Sequence, residues 1–137
     1  MISLDTVVPY KVRLIMTIKR PMKRITAHFY QTRANNEPVR DWLLDLEIED
    51  RRLVGRDIAT VEFGWPVGMP VCEPVGRGIR EVRSTIKQGK VEARVYFGID
   101  GDKMILLHGA EKKPARQPND IATAENRWSD YKRRVKE

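Results

Sequence analysis

GIREVRSTIKQGKVEARVYFGIDGDKMILLHGAEKK, residues 78–113, decides the fold. Three short segments in it alternate apolar and polar residues. Gln88-Gly89-Lys90 and Asp100-Gly101 separate them by no more than a turn, so the stretch predicts a β-meander. Its strands are expected at Ile79–Thr85, Val91–Ile99 and Met104–His108. The last is almost continuously apolar, which places it centrally in the sheet with both faces covered. Ile79, Glu81 and Arg83 share one face of the first strand, with Arg80, Val82 and Ser84 on the other. Glu92, Arg94 and Tyr96 share a face opposite Val91, Ala93, Val95 and Phe97. That apolar set is expected to pack under helices, so Arg94 and Tyr96 should point away from the core. Simple hairpin register makes Arg83 and Arg94 neighbours, held by Glu81 or Glu92. A solvated ion-pair ladder and a phosphate-binding surface both fit this pattern.

Upstream, Ile25–Tyr30 reads as a first strand. Asn35-Asn36-Glu37-Pro38 reads as a helix start, with an Asn cap and an early proline. Val39, Trp42, Leu43 and Leu46 follow the spacing of an amphipathic helix. A second helix is expected over Asp50–Phe63, with Val54, Ile58 and Val61 inward and Gly64-Trp65-Pro66 stopping it. The two form a helical hairpin. Residues 69–75 are proline-rich, and Pro74 suits an edge strand. Downstream, a basic loop over Glu111–Pro118 leads to a final helix over Asn119–Val135.

The chain has 137 residues, enough for one domain with a substantial core. Its net charge of +7 favours a polyanionic partner. Residues 36–63 hold four arginines against eight acidic residues, and residues 76–94 hold six basic residues against two acidic ones. A polyanion should therefore meet the sheet and not the hairpin. Cys72 is the single cysteine, so no intrachain disulfide can form, and a reducing cytoplasm suits the chain. His28 and His108 are far apart in sequence and do not suggest a metal site. No apolar run is long enough to span a bilayer. Residues 1–21 differ in pattern from the rest. They are expected to be an extension, flexible or adding an extra strand, before a domain over 22–137. His108 is read as a packing residue on an apolar strand. Tyr131 is read as packing with an exposed hydroxyl. Trp42, Trp65 and Trp128 are read as core residues.

Strand, two helices, a three-strand meander and a final helix, in that order, resembles the RelE/ParE toxin superfamily. Within it the chain looks most like the phage-derived, HigB-like branch of type II toxin–antitoxin systems. The residues that carry the likeness are VRDWLLDL (Val39–Leu46), GIREVR (Gly78–Arg83), ARVYF (Ala93–Phe97) and ILLHGAEKKPARQP (Ile105–Pro118), with IATAENRWSDY in the final helix. The resemblance implies an α+β, RelE-like fold: a small antiparallel-rich sheet packed on an N-terminal helical hairpin, with a C-terminal helix. It implies a metal-independent endoribonuclease, needing no cofactor, that cuts mRNA in the ribosomal A site. The implied partner is a helix-turn-helix, HigA-like antitoxin, through which the toxin would oligomerise.

By the same resemblance Arg94 holds the scissile phosphate, Arg83 assists it, Glu81 is the candidate base, and Lys112 and Lys113 are candidate proton donors. Arg77, Arg80, Lys87, Lys90 and Arg116 are the further basic residues expected to bind RNA. Arg80 stands where the family often has an aromatic residue. Two other functions compete: a ParE-like gyrase inhibitor, and a non-catalytic, basic nucleic-acid-binding or phage accessory protein.

Overall fold

A computed structural model describes residues 22–66, 72–112 and 118–137. The expectation for residues 1–21 lies outside the described residues. β1 (Thr26–Phe29) is followed by α1 (Pro38–Asp45), α2 (Ile48–Gly64), β2 (Cys72–Gly76), β3 (Ile79–Ile86), β4 (Val91–Asp100), β5 (Lys103–Glu111) and α3 (Pro118–Arg134). The strands form one sheet in the order β1-β5-β4-β3-β2. β2 to β5 run antiparallel to one another, whereas β1 joins β5 in parallel. This is the α+β arrangement expected from the sequence. Among the described residues no helix is long and apolar enough to cross a membrane.

Pro38 opens α1 with its fixed φ, but neither asparagine caps the helix. Glu37 is the capping residue and makes no side-chain hydrogen bond. Asn35, at a φ of 67°, instead sits in a turn in which Thr32 accepts from the backbone N–H of Asn35 and Asn36. The other end of α1 is closed from outside. Arg51 of α2 donates to the carbonyls of Leu43 (3.0 Å), Leu44 (3.0 Å) and Leu46 (3.2 Å). Helix ends leave such carbonyls without intrahelical donors, so one guanidinium satisfies three of them and fixes the hairpin angle. Arg51→Ala is expected to lower stability by about 1–2 kcal/mol, read as a shift in urea midpoint without a change in slope.

Both faces of the sheet are covered. Val39, Val54, Ile58 and Val61 from the hairpin meet Val82, Val95, Phe97, Met104 and Leu106 on one side. On the other, Ala124 and Trp128 of α3 meet Ile79, Tyr96, Ile105 and Leu107, with Tyr30. This second core corrects the sequence expectation for Tyr96. It does point away from the hairpin, but into α3, and it is buried. The expected double cover of β5 is observed, since α1 and α3 flank it. Pro74 lies on β2, an edge strand, where its missing N–H costs no ladder bond.

Polar pins set the register of these layers. Buried Asp50 accepts from Lys87 N at 3.0 Å and fixes the β3–β4 turn to α2. Buried Glu62 accepts from Ala27 N at 2.8 Å and fixes β1. The Tyr131 hydroxyl, read from the sequence as exposed, has a partner. It donates to Asp100 at 2.6 Å, and burial together with that carboxylate pushes its pKa up to about 12. Trp42, Trp65 and Trp128 all join the two cores, as expected.

Candidate functional site

The antiparallel ladder lines up two rows of side chains on the α3 face of the sheet. Glu73, Glu81, Tyr96 and His108 are successive partners across β2, β3, β4 and β5. Arg83, Arg94 and Ala110 are partners in the next row. α3 covers the Tyr96 end of this face, and the arginines lie beyond it. Arg83 and Arg94 are thus directly opposed, as the hairpin register predicted. Two like charges facing each other across strands are unfavourable unless something holds them.

Glu81 holds them. Its carboxylate is 1% exposed and accepts from Arg83 Nε at 3.1 Å and from Arg94 Nη1 at 3.1 Å. Burial raises the Glu81 pKa, with Arg94 pulling the other way. With both oxygens engaged and its side chain 1% exposed, Glu81 is placed to orient the pair and not to face solvent. The part-exposed carboxylates at the pair are Glu73, paired with Arg83 Nη2, and Glu92, which faces Arg83, Arg94 and Lys112 together. Three carboxylates therefore balance three cations, and the face carries far less net charge than its arginines suggest.

The Glu81 shift has a stability consequence. A raised folded-state pKa contributes stability that is complete below the ordinary glutamate value and is lost as pH rises through the raised one. Relative to Glu81→Gln, the wild type should therefore lose stability as pH rises above the ordinary glutamate range. Urea midpoints of both chains across that rise test this. An opposite slope would mean that the arginines, and not burial, control the carboxyl.

His108 joins the site because of a bulge. Tyr96 pairs with His108 but Phe97 pairs with Leu106, leaving Leu107 as the extra residue. The extra residue reverses the alternation of β5 and turns His108 onto the α3 face. There its Nε2 lies 2.8 Å from Asp120, and its Nδ1 lies 3.2 Å from Arg127 Nη1. An arginine donates only, so Nδ1 accepts and the Nε2 proton goes to Asp120. The ring stacks on Tyr96 at 6.0 Å between centroids. Burial raises the Tyr96 pKa, as does Glu81, so the phenol stays protonated. The sequence reading of His108 as a packing residue describes the stacking but not these polar contacts.

The other basic residues do not converge. Arg77 pairs with Glu125 of α3 at 3.3 Å. Arg80 lies on the hairpin face, with its guanidinium 5.1 Å from the Trp65 ring, so it is separated from Arg83 and Arg94 by the sheet. Lys87 pairs with Glu111 at 3.1 Å. Lys90 lines a cavity of about 660 Å³ with Glu47, Glu49 and Asp50, at an acidic end of α2. Lys112 is at the arginine pair. Lys113 and Arg116 lie outside the described residues.

This sheet face lies inside a recognised family. The sequence matches the family described as phage derived protein Gp49-like (DUF891) over residues 41–129. The chain belongs to that family. The matched span of the Gp49-like chain starts within α1 and ends within α3, so it takes in the meander, both rows and Asp120. A search of curated proteins finds no match to it. The Gp49-like chain has a fold consistent with RelE-like proteins: a five-stranded sheet, a helical hairpin and a C-terminal helix.

Proposed function

We propose that this Gp49-like protein is the toxin of a type II toxin–antitoxin pair, of the HigB-like branch, and a ribosome-dependent mRNA endoribonuclease. The observation that carries the reading is the opposed pair Arg83–Arg94, oriented from beneath by a sealed Glu81. Two guanidiniums held side by side offer parallel donors to a phosphodiester. Their orientation is fixed before substrate arrives, so none of it has to be created as charge develops.

Cleavage of RNA needs no outside nucleophile. The 2′-oxygen attacks the adjacent phosphorus, the bond to the 5′-oxygen breaks, and a cyclic phosphate and a 5′-hydroxyl result. Arg94 and Arg83 stabilise charge on the non-bridging oxygens. The 2′ proton goes to Glu73, the part-exposed carboxylate on Arg83, which can reach it as Glu81 cannot. The leaving 5′-oxygen takes a proton from Lys112 or Lys113. The ribosome holds the message in line for attack, which the open face of the sheet does not do by itself. A helix-turn-helix antitoxin would silence the protein by covering this face.

Induced expression in bacteria, with primer extension on cellular mRNA, tests the reading. Growth arrest with new 5′ ends inside translated codons is the expected result. Arrest with DNA-damage signalling and intact messages would instead support gyrase inhibition.

A further inference from the structure

Glu92 stands in a different relation to its cations from Glu81. Its Oε1 lies 3.6 Å from Arg83 Nε, and its Oε2 lies 3.4 Å from Arg94 Nη2 and 3.7 Å from Lys112 Nζ. Charge-assisted N–H···O bonds are shorter, at about 2.7–2.9 Å. The carboxylate is therefore held by the combined field of three cations and by no tight bond. It is 32% exposed, against 1% for Glu81. Its backbone is fixed, since Glu92 O accepts from Lys112 N at 2.7 Å and the residue pairs with Thr85. Only the side chain is free to leave. Beside Arg94 on β5 is Ala110, whose short side chain brings no charge to the pair. Arg94 Nε is itself buried and without a partner among the described residues.

We propose that Glu92 is an internal anion occupying the seat of a phosphodiester, and that nucleic-acid phosphate binds by displacing it into solvent. Arg83, Arg94 and Lys112 form the seat, and Glu81 and Glu73 keep the two arginines aligned while Glu92 is out. The displacement makes the site a poor binder of weak anions such as the carboxylates of other proteins. A phosphate, with more oxygens to share among three cations, competes successfully. The inference rests on the RNA reading for the identity of the ligand, but it requires only that the ligand be a phosphate.

Purified wild type, Glu92→Gln and Glu49→Gln should be compared for binding of a fully 2′-O-methylated hexanucleotide by fluorescence anisotropy at fixed salt. That probe has no 2′-hydroxyl and cannot be cut. Glu49 is an exposed residue of α2, so its variant controls for the change in overall charge. Glu92→Gln is expected to bind about tenfold tighter than wild type, with Glu49→Gln close to wild type. Equal or weaker binding by Glu92→Gln, or equal tightening by both variants, overturns the proposal. A second measurement needs no variant. Inorganic phosphate titrated into the wild type should shift the Arg83 and Arg94 Nε–H and Glu92 carboxyl NMR signals together, and unmoved arginine signals overturn it as well. Tighter binding without mRNA cleavage in cells would keep the seat and remove the ribonuclease reading. Cleavage without tighter binding would do the reverse.

Discussion

Arg94→Ala is expected to abolish the growth arrest proposed for the wild type and to lower RNA cleavage by about 10³-fold or more, while the chain stays folded. The size follows from position. Arg94 is 18% exposed, paired with Arg83 across the strands, and tied to Glu81 at 3.1 Å, so no neighbouring cation can take over its geometry. Arg94→Lys should recover only a small part of the activity, because an ammonium cannot reproduce the fork between Glu81 and a phosphate. The fold survives because Glu81 keeps Arg83 as a partner, and burial already favours its protonated form. The expected stability loss is about 1–3 kcal/mol. Growth curves on induction, with a thermal melt of each purified variant, check both halves. A folded, fully toxic Arg94→Ala would remove Arg94 from the site.

Gly98→Ala and Gly109→Ala are each expected to destabilise the fold by about 2–3 kcal/mol. A Cβ at Gly98 would lie 2.6 Å from the ring of Trp128, and one at Gly109 would lie 2.4 Å from the ring of Trp42. These glycines are on strands at ordinary φ, so their role is space: each lets an indole lie flat on the sheet. The two indoles belong to opposite layers, α3 and α1, and the glycines therefore set how closely each layer approaches. Gly55 provides the contrast. Nothing lies within 4 Å of a Cβ there, and it is inside α2. Gly55→Ala should stabilise the chain by about 0.5–1 kcal/mol. Urea denaturation of the three variants measures this order. A Gly98→Ala chain as stable as wild type would mean that α3 is free to shift on the sheet.

The meander, both helices of the hairpin and the opposed arginines were readable because each depends on local pattern. Turn residues at 88–90 and 100–101 set hairpin register, and register alone puts Arg83 against Arg94. The second core under α3 was harder to see. Tyr96 alternates with apolar residues and looks outward until α3 is placed against it. The polar contacts of His108 were not legible, because one extra residue, Leu107, reverses the alternation, and a bulge leaves no mark in an unbroken apolar run. Glu73 was missed because it reaches Arg83 through the pairing of β2, a short proline-containing strand whose register its sequence does not specify. The expected base, Glu81, has the right neighbours but no exposure, and pattern does not report depth. The even position of Arg80 on β3 already puts it on the hairpin face, away from Arg83 and Arg94.

The most direct test uses purified components: a translating extract with a defined message, with and without the protein, followed by mapping of 5′ ends on ribosome-bound and free mRNA. Cuts confined to ribosome-bound message, within codons at the A site and absent with Arg94→Ala, are the predicted result. Intact message under conditions where the protein arrests growth, or cuts that persist in Arg94→Ala, would contradict a ribonuclease centred on the arginine pair.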